Sequence, residues 1–197
     1  MNIKSIRVFC KKNINSISFI FALLLSHLIW KILFYDDFDK CRWDSNILNV
    51  TDLMNNYCGL IAIIVNKYLK YFNLNYTLVG NVFYFSNYHA LGVVWGCSAI
   101  KQMMTFVIGL LIAKGNIIYK LAYLVLGLTL VFCINIFRIF FLAYISAHHP
   151  EIFYLMHEYL LKYLFYMIIF FFWALWVEVL LPKYIKNARI QNAKKLA

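Results

Sequence analysis

Apolar residues gather in four long stretches, with the polar residues between and beyond them. A hydrocarbon core of about 30 Å takes roughly 20 apolar residues in a helix rising about 1.5 Å per residue. On that measure residues 17–35, 98–113, 117–147 and 159–181 are predicted membrane helices. The second is short, the third is long enough to project from the bilayer, and Pro182 stops the fourth. A fifth patch, Tyr57 to Phe72, is uninterrupted only from Gly59 to Val65, too short to cross, and reads as an interfacial or re-entrant helix. From Thr77 to Trp95, Val, Tyr, Phe, Gly and Asn alternate in a short-strand pattern, which predicts an external hairpin or extended lead-in to Cys97.

Charge assigns the sides. Lys4, Arg7, Lys11 and Lys12 precede the first span, and Lys183, Lys186, Arg189, Lys194 and Lys195 follow the last. Flanking cations stay in the cytoplasm, so both termini are expected inside and the number of crossings is even. Lys114 and Lys120, with no acid between them, place the second-to-third connection inside as well. The stretch after the first span carries Asp36, Asp37, Asp39, Asp44 and Asp52 against Lys40 and Arg42, as an external loop can. The expected fold is an all-α integral membrane domain over 1–197, with about four transmembrane helices plus one interfacial or re-entrant helix. Around the spans lie a basic cytoplasmic N-terminus (1–16), an external loop (36–97) and a basic cytoplasmic tail (182–197). His27 and Lys31 inside the first stretch, and the lack of a small-residue cleavage site, favour a retained anchor over a removed signal peptide.

Composition excludes the soluble alternative: 64% of the residues are hydrophobic and 14% charged, where a soluble domain carries about 25% charged. The net charge of +11 would suit a nucleic-acid binder, but the cations sit at the chain ends, where a membrane protein keeps its anchors, so no nucleic-acid partner is expected. Five cysteines, an odd number without CxxC spacing, give neither a zinc ribbon nor a full disulfide framework. Cys41 and Cys58, both expected outside, could pair and leave Cys97 as a thiol.

Three polar residues fall at one membrane face on three helices. Cys97 opens the second span, where a helix N-terminus favours thiolate over thiol. Arg138 is set in an apolar helix close to the outer boundary, where a guanidinium needs a polar cavity or a partner, and Asn135 shares its face. His157 heads the fourth span, followed by Glu158. Each alone has a plain structural reading: a small hydrophobe, a snorkelling anchor, an interfacial residue. Together they can run acyl transfer, with a thiolate attacking a carbonyl, a cation stabilising the oxyanion and an imidazole moving the proton.

Cys97-Ser98-Ala99 at a helix start, Asn135-x-x-Arg138 near the outer end of the next helix and His157 heading the last resemble the exosortase/archaeosortase family of membrane-embedded cysteine transpeptidase-like proteins. The resemblance covers about residues 75 to 181. It implies Cys97 as nucleophile, Arg138 as transition-state cation and His157 as acid/base, without cofactor or metal. It also implies, as partners, secreted proteins with a C-terminal sorting tail made of a recognition motif, a hydrophobic helix and a basic cluster. Cleavage would occur at the outer face of a prokaryotic cytoplasmic (inner) membrane, with transfer to a surface glycan or lipid acceptor. The chain departs from the family pattern in Ala99, where Gly is commoner, in lacking a Gly shortly after His157, and in its length.

Other residues compete for supporting roles. Ser98 adjoins the thiol; Lys101, four residues after Cys97, can lower the thiol pKa or bind a lipid phosphate; His27 lies deep enough in the first span to line a substrate groove, while Lys31 snorkels. His148 and His149 are alternatives to His157 as acid/base. With these histidines a metal site is conceivable, but the His-Glu-x-x-His spacing is absent. The functional alternatives are a non-catalytic membrane subunit of a surface-polysaccharide or secretion assembly, and a small haem or metal carrier.

Overall fold

The computed structural model describes residues 14–35, 40–42, 44, 49–113, 115–180 and 182. The basic residues of both termini, Cys10, Asp36, Asp37, Asp39 and Lys114, which entered the orientation and cysteine arguments, lie outside the described residues.

Five helices dominate. Helix α1 spans Ile14–Leu33 and runs into a two-stranded antiparallel ribbon, β1 (Phe34–Tyr35) with β2 (Lys40–Cys41). Helix α2 spans Val50–Leu69 and ends in a 3₁₀ turn, Lys70–Phe72. An antiparallel meander follows: β3 (Tyr76–Val79), β4 (Val82–Phe85) and β5 (Ala90–Gly92). Helix α3 is Ile100–Ile112, α4 is Ile117–His148, and α5 is the helical rod Pro150–Leu180.

Among the described residues two helices, α4 and α5, are long and apolar enough to cross a membrane by length and composition. The second predicted span, 98–113, coincides with α3, whose 13 residues make about 20 Å of helix against a core of about 30 Å. The apolar part of α1, Ile17–Leu33, is also shorter than a full span. The fourth predicted span begins nine residues early, because Pro150 sits at the first position of a 3₁₀ turn that feeds the helix directly. Large apolar side chains stand outward on these rods, among them Leu24 and Leu28 on α1, Val125 and Phe137 on α4, and Met167 and Phe171 on α5. Water does not tolerate such continuous apolar faces; lipid does.

The chain is mostly helical but not all-α. The meander forms where β-branched and aromatic residues alternate, with Phe83 and Phe85 buried and Tyr84 exposed between them. Its first turn has only two residues, Gly80 and Asn81, with Gly80 at φ +63°, the conformation that tight hairpin turns reserve for glycine. Asn81 then ties the far end of the meander, donating from Nδ2 to the Val93 carbonyl at 2.8 Å.

Helix α2 starts seven residues before the predicted Tyr57, for a local reason. Asn49 caps it by accepting from the Asp52 N–H at 3.1 Å, and the Asp44 carboxylate accepts from the Val50 and Thr51 N–H groups and from the Thr51 hydroxyl. These bonds hold the Asp44 carboxyl below its ordinary pKa, the Thr51 hydroxyl contributing most. Met54, Cys58, Ile61, Ala62, Val65 and Leu69 form the buried stripe of α2, so its inner face packs against protein.

Two cores result. One gathers Trp30, Phe34, the α2 stripe, Phe83, Trp95, Cys97 and Leu142; the other gathers Phe19, Ala99, Phe106, Val131, Phe165 and Trp173. Helix α3 is locked into the second core at Gly127 of α4, where an added Cβ would lie 2.3 Å from the Phe106 ring. A buried Ser26–Thr105 hydroxyl pair at 2.6 Å joins α1 to α3. The turn from Trp95 to Ala99 thus passes from one core to the other.

Candidate active site

Cys97 does not lie on a helix. It ends a 3₁₀ turn, Trp95–Cys97, and α3 begins three residues later, which corrects the expectation that a helix N-terminus holds the thiol. The turn is held from within by Cys97 N–H to the Val94 carbonyl at 2.8 Å and by Ser98 Oγ to the Trp95 carbonyl at 2.6 Å. From outside, the Trp95 indole N–H donates to Asn55 of α2 at 2.8 Å. The chain then enters α3 through Ala99 at φ +64°, a left-handed conformation costly for any residue with a Cβ. A glycine there would carry no such cost.

Asn135 and Arg138 reach this turn from α4. Asn135 is fully buried and donates from Nδ2 to the Cys97 carbonyl at 2.9 Å, while its Oδ1 has no hydrogen-bond partner among the described residues. Arg138 is 7% exposed, its Nε is likewise unpartnered, and its guanidinium carbon lies 5.9 Å from the centre of the Phe165 ring. Its Nε–H thus remains an unsatisfied donor in a cation largely withdrawn from water.

His157 comes from α5, within a π-helical turn, Met156–Leu160. Its Nε2 lies 3.7 Å from Cys97 Sγ, within hydrogen-bond reach of sulfur, and its Nδ1 lies 2.9 Å from Glu158 Oε1. Phe153 stacks parallel on the ring at 5.6 Å. Lys162 donates to the second Glu158 oxygen at 3.2 Å.

Cys97, Arg138 and His157 line one cavity of about 280 Å³. Trp30, Trp95 and Phe165 supply apolar walls, and Lys101, Gln102, Glu158, Lys162 and Tyr166 supply polar ones. Three fixed cations face one carboxylate, so the cavity favours anionic groups.

The remaining residues singled out from sequence divide. Lys101 lines the cavity, its Nζ 6.0 Å from the centre of the Trp30 ring. Ser98 is fully buried and committed to the turn. His27 does not line this cavity: it is exposed on α1, with Ser26 and Trp30 turned inward. His148 stacks on Tyr144, and His149 pairs with Glu151 at 3.3 Å; neither lines the cavity. Cys41 and Cys58 are buried thiols, not a disulfide.

Sequence reading overlooked Gln102, Lys162 and Tyr166. Gln102 is a lone amide buried in α3 and shares a hydrogen bond with Tyr166. The i,i+4 spacing of Glu158 and Lys162 was a legible signal for their pairing.

The family model of the transmembrane exosortases matches residues 47–176, about two thirds of the chain, and includes Cys97, Asn135, Arg138 and His157. No curated protein and no solved structure matches the chain. The matched span runs from just before α2 well into α5 and takes in every cavity residue except Trp30, and the chain belongs to the transmembrane exosortase family.

Proposed function

We propose that this chain is a membrane cysteine peptidase or transpeptidase that cleaves the C-terminal sorting tail of secreted proteins. The observation that carries the reading is the 3.7 Å approach of Cys97 Sγ to His157 Nε2 in a cavity that a buried, under-partnered Arg138 also lines. In the reaction His157 takes the thiol proton and the thiolate adds to the scissile carbonyl, whose oxygen becomes an anion beside Arg138. Collapse breaks the C–N bond, His157 Nε2–H protonates the leaving amine, and a thioester remains on Cys97. Water or an amine of a cell-surface acceptor, glycan or lipid, then attacks the thioester and restores the thiol.

In this reading the chain crosses the cytoplasmic (inner) membrane of a prokaryote about four times with both termini inside, and the cavity opens outward. A tail carrying a recognition motif, a hydrophobic helix and a basic cluster would present its motif to the thiol while its helix rests in lipid. The outward apolar faces of α1, α4 and α5 support the membrane setting.

The test is processing of a tripartite-tail substrate in cells carrying Cys97→Ala. Processing is expected to stop while the variant accumulates in the membrane at the usual level. Normal processing by that variant would return the chain to the second reading, a non-catalytic subunit of a surface-polysaccharide or secretion assembly.

A further inference from the structure

Neighbouring residues on an α-helix point about 100° apart and do not face one another. His157 and Glu158 nevertheless meet, Nδ1 to Oε1, at 2.9 Å, in the π turn Met156–Leu160. Turns of this kind are rare and concentrate at functional sites. The other carboxylate oxygen is occupied by Lys162 at 3.2 Å, and Phe153 stacks on the imidazole.

We propose that Glu158 is a positioning residue that fixes the tautomer of His157, with Lys162 fixing the carboxylate in turn, so that the nitrogen facing Cys97 holds a lone pair. The inference rests on the thiol–imidazole reading above and extends it by two residues. A carboxylate can only accept, so Nδ1 must carry the proton of the neutral ring, and Nε2, 3.7 Å from Sγ, is left as the acceptor. When the S–H bond breaks and the Nε2–H bond forms, the imidazolium keeps its Nδ1–H on Glu158. The other charged, titratable and amide groups around the cavity are Lys101 and Gln102 from α3, Arg138 from α4 and Tyr166 from α5; Glu158 is the one bonded to Nδ1.

Lys162 makes the idea testable. Glutamine at position 158 has one acceptor and one donor end, and the lysine can only donate. In Glu158→Gln the amide oxygen therefore turns to Lys162, the NH₂ faces Nδ1, and the ring proton is forced onto Nε2. The wrong tautomer disables a histidine base without moving it. Removing the lysine as well lets the amide turn its oxygen back to His157.

The experiment follows carbamidomethylation of Cys97 by iodoacetamide at neutral pH. It uses the full chain in its membrane, and mass spectrometry resolves the Cys97 and Cys58 peptides. Cys58, fully buried in α2, reports folding. Glu158→Gln is expected to slow Cys97 about tenfold, and Glu158→Gln with Lys162→Met to recover to within about threefold of the unaltered protein, with Cys58 protected throughout. Equal Cys97 rates in the unaltered protein and Glu158→Gln, or a double variant as slow as the single one, overturn the proposal. If Glu158→Gln exposes Cys58, the comparison passes to Glu158→Asp and Glu158→Asn, where a faster Asp supports the role and equal rates overturn it. A Cys97 rate unchanged by His157→Gln defeats the thiol–imidazole reading and this inference with it. A rate that depends on His157 but not on Glu158 defeats the positioning role alone.

Discussion

The side chain of Asn135 holds the backbone of Cys97: its amide donates to the Cys97 carbonyl at 2.9 Å from a fully buried position three residues before Arg138. One turn of α4 therefore carries both the group that fixes the sulfur-bearing turn and the cation that faces the cavity. Replacing Asn135 with Leu removes this donor from the Cys97 carbonyl in a dry setting, at a cost of about 1 to 3 kcal/mol. The expected result is a lower thermal midpoint together with a slower Cys97 alkylation rate, both measured on the detergent-solubilised protein.

Arg138 is expected to resist conservative replacement. A guanidinium presents a planar fork of donors, whereas an ammonium is a compact point charge that holds its water more strongly. Arg138→Lys should keep the membrane level of the protein and lower tail processing by about 10² or more, the usual scale for loss of an oxyanion donor. Processing within a few fold of the unaltered protein would remove Arg138 from the proposed reaction.

Ala99 supplies a prediction about backbone strain. At φ +64° its Cβ costs about 1 to 2 kcal/mol, but the methyl is buried in the second core. In Ala99→Gly the relief of strain, the lost packing and the added freedom of the unfolded chain nearly offset one another, and stability should change by less than about 1 kcal/mol. Ala99→Val, β-branched in the same conformation, should lose several times that. Thermal midpoints of the two variants, compared side by side, check the sign and the order.

The start of α2 should respond to acid. The folded-state pKa of Asp44 lies below its ordinary 3.8, so its contribution is complete above the unfolded value and disappears as the pH falls through the lower, folded one. Hydrogen exchange at Val50 and Thr51 should therefore be slow from neutral pH to about pH 5 and speed up below 3.8 relative to the sheet amides. Asp44→Asn should exchange faster at neutral pH and lose the acid response.

What the sequence made legible was whatever depends on length, order and apolar runs. Helix α4 was read to within a residue, because Asn116 caps its start and the apolar run continues to Ala147. Cys97, Arg138 and His157 line one cavity, a grouping read in the sequence from their order along the chain and their expected membrane side. The start of α2 was missed because Asp44 and Asn49 act through backbone hydrogen bonds that leave no hydrophobic period. The pairing of His157 with Glu158 was hidden because sequence neighbours do not ordinarily face each other on an α-helix, and no sequence signal marks the π turn over Met156–Leu160. The outward turn of His27 was not legible because α1 is apolar on nearly every side, so composition does not tell its inner face from its outer one. Gln102 and Tyr166 were overlooked because a single amide or phenol in an apolar run does not reveal which way it turns.

The passage of the Trp95–Ala99 turn between two cores has a further consequence. Cys97 is rooted in one and Ala99 in the other, only two residues apart. Substitutions in the two separate clusters, Phe83 in the first and Trp173 in the second, therefore bear on opposite ends of the same short turn. The sulfur acts as a strain gauge, its gap to the imidazole registering any slip of one packed half against the other.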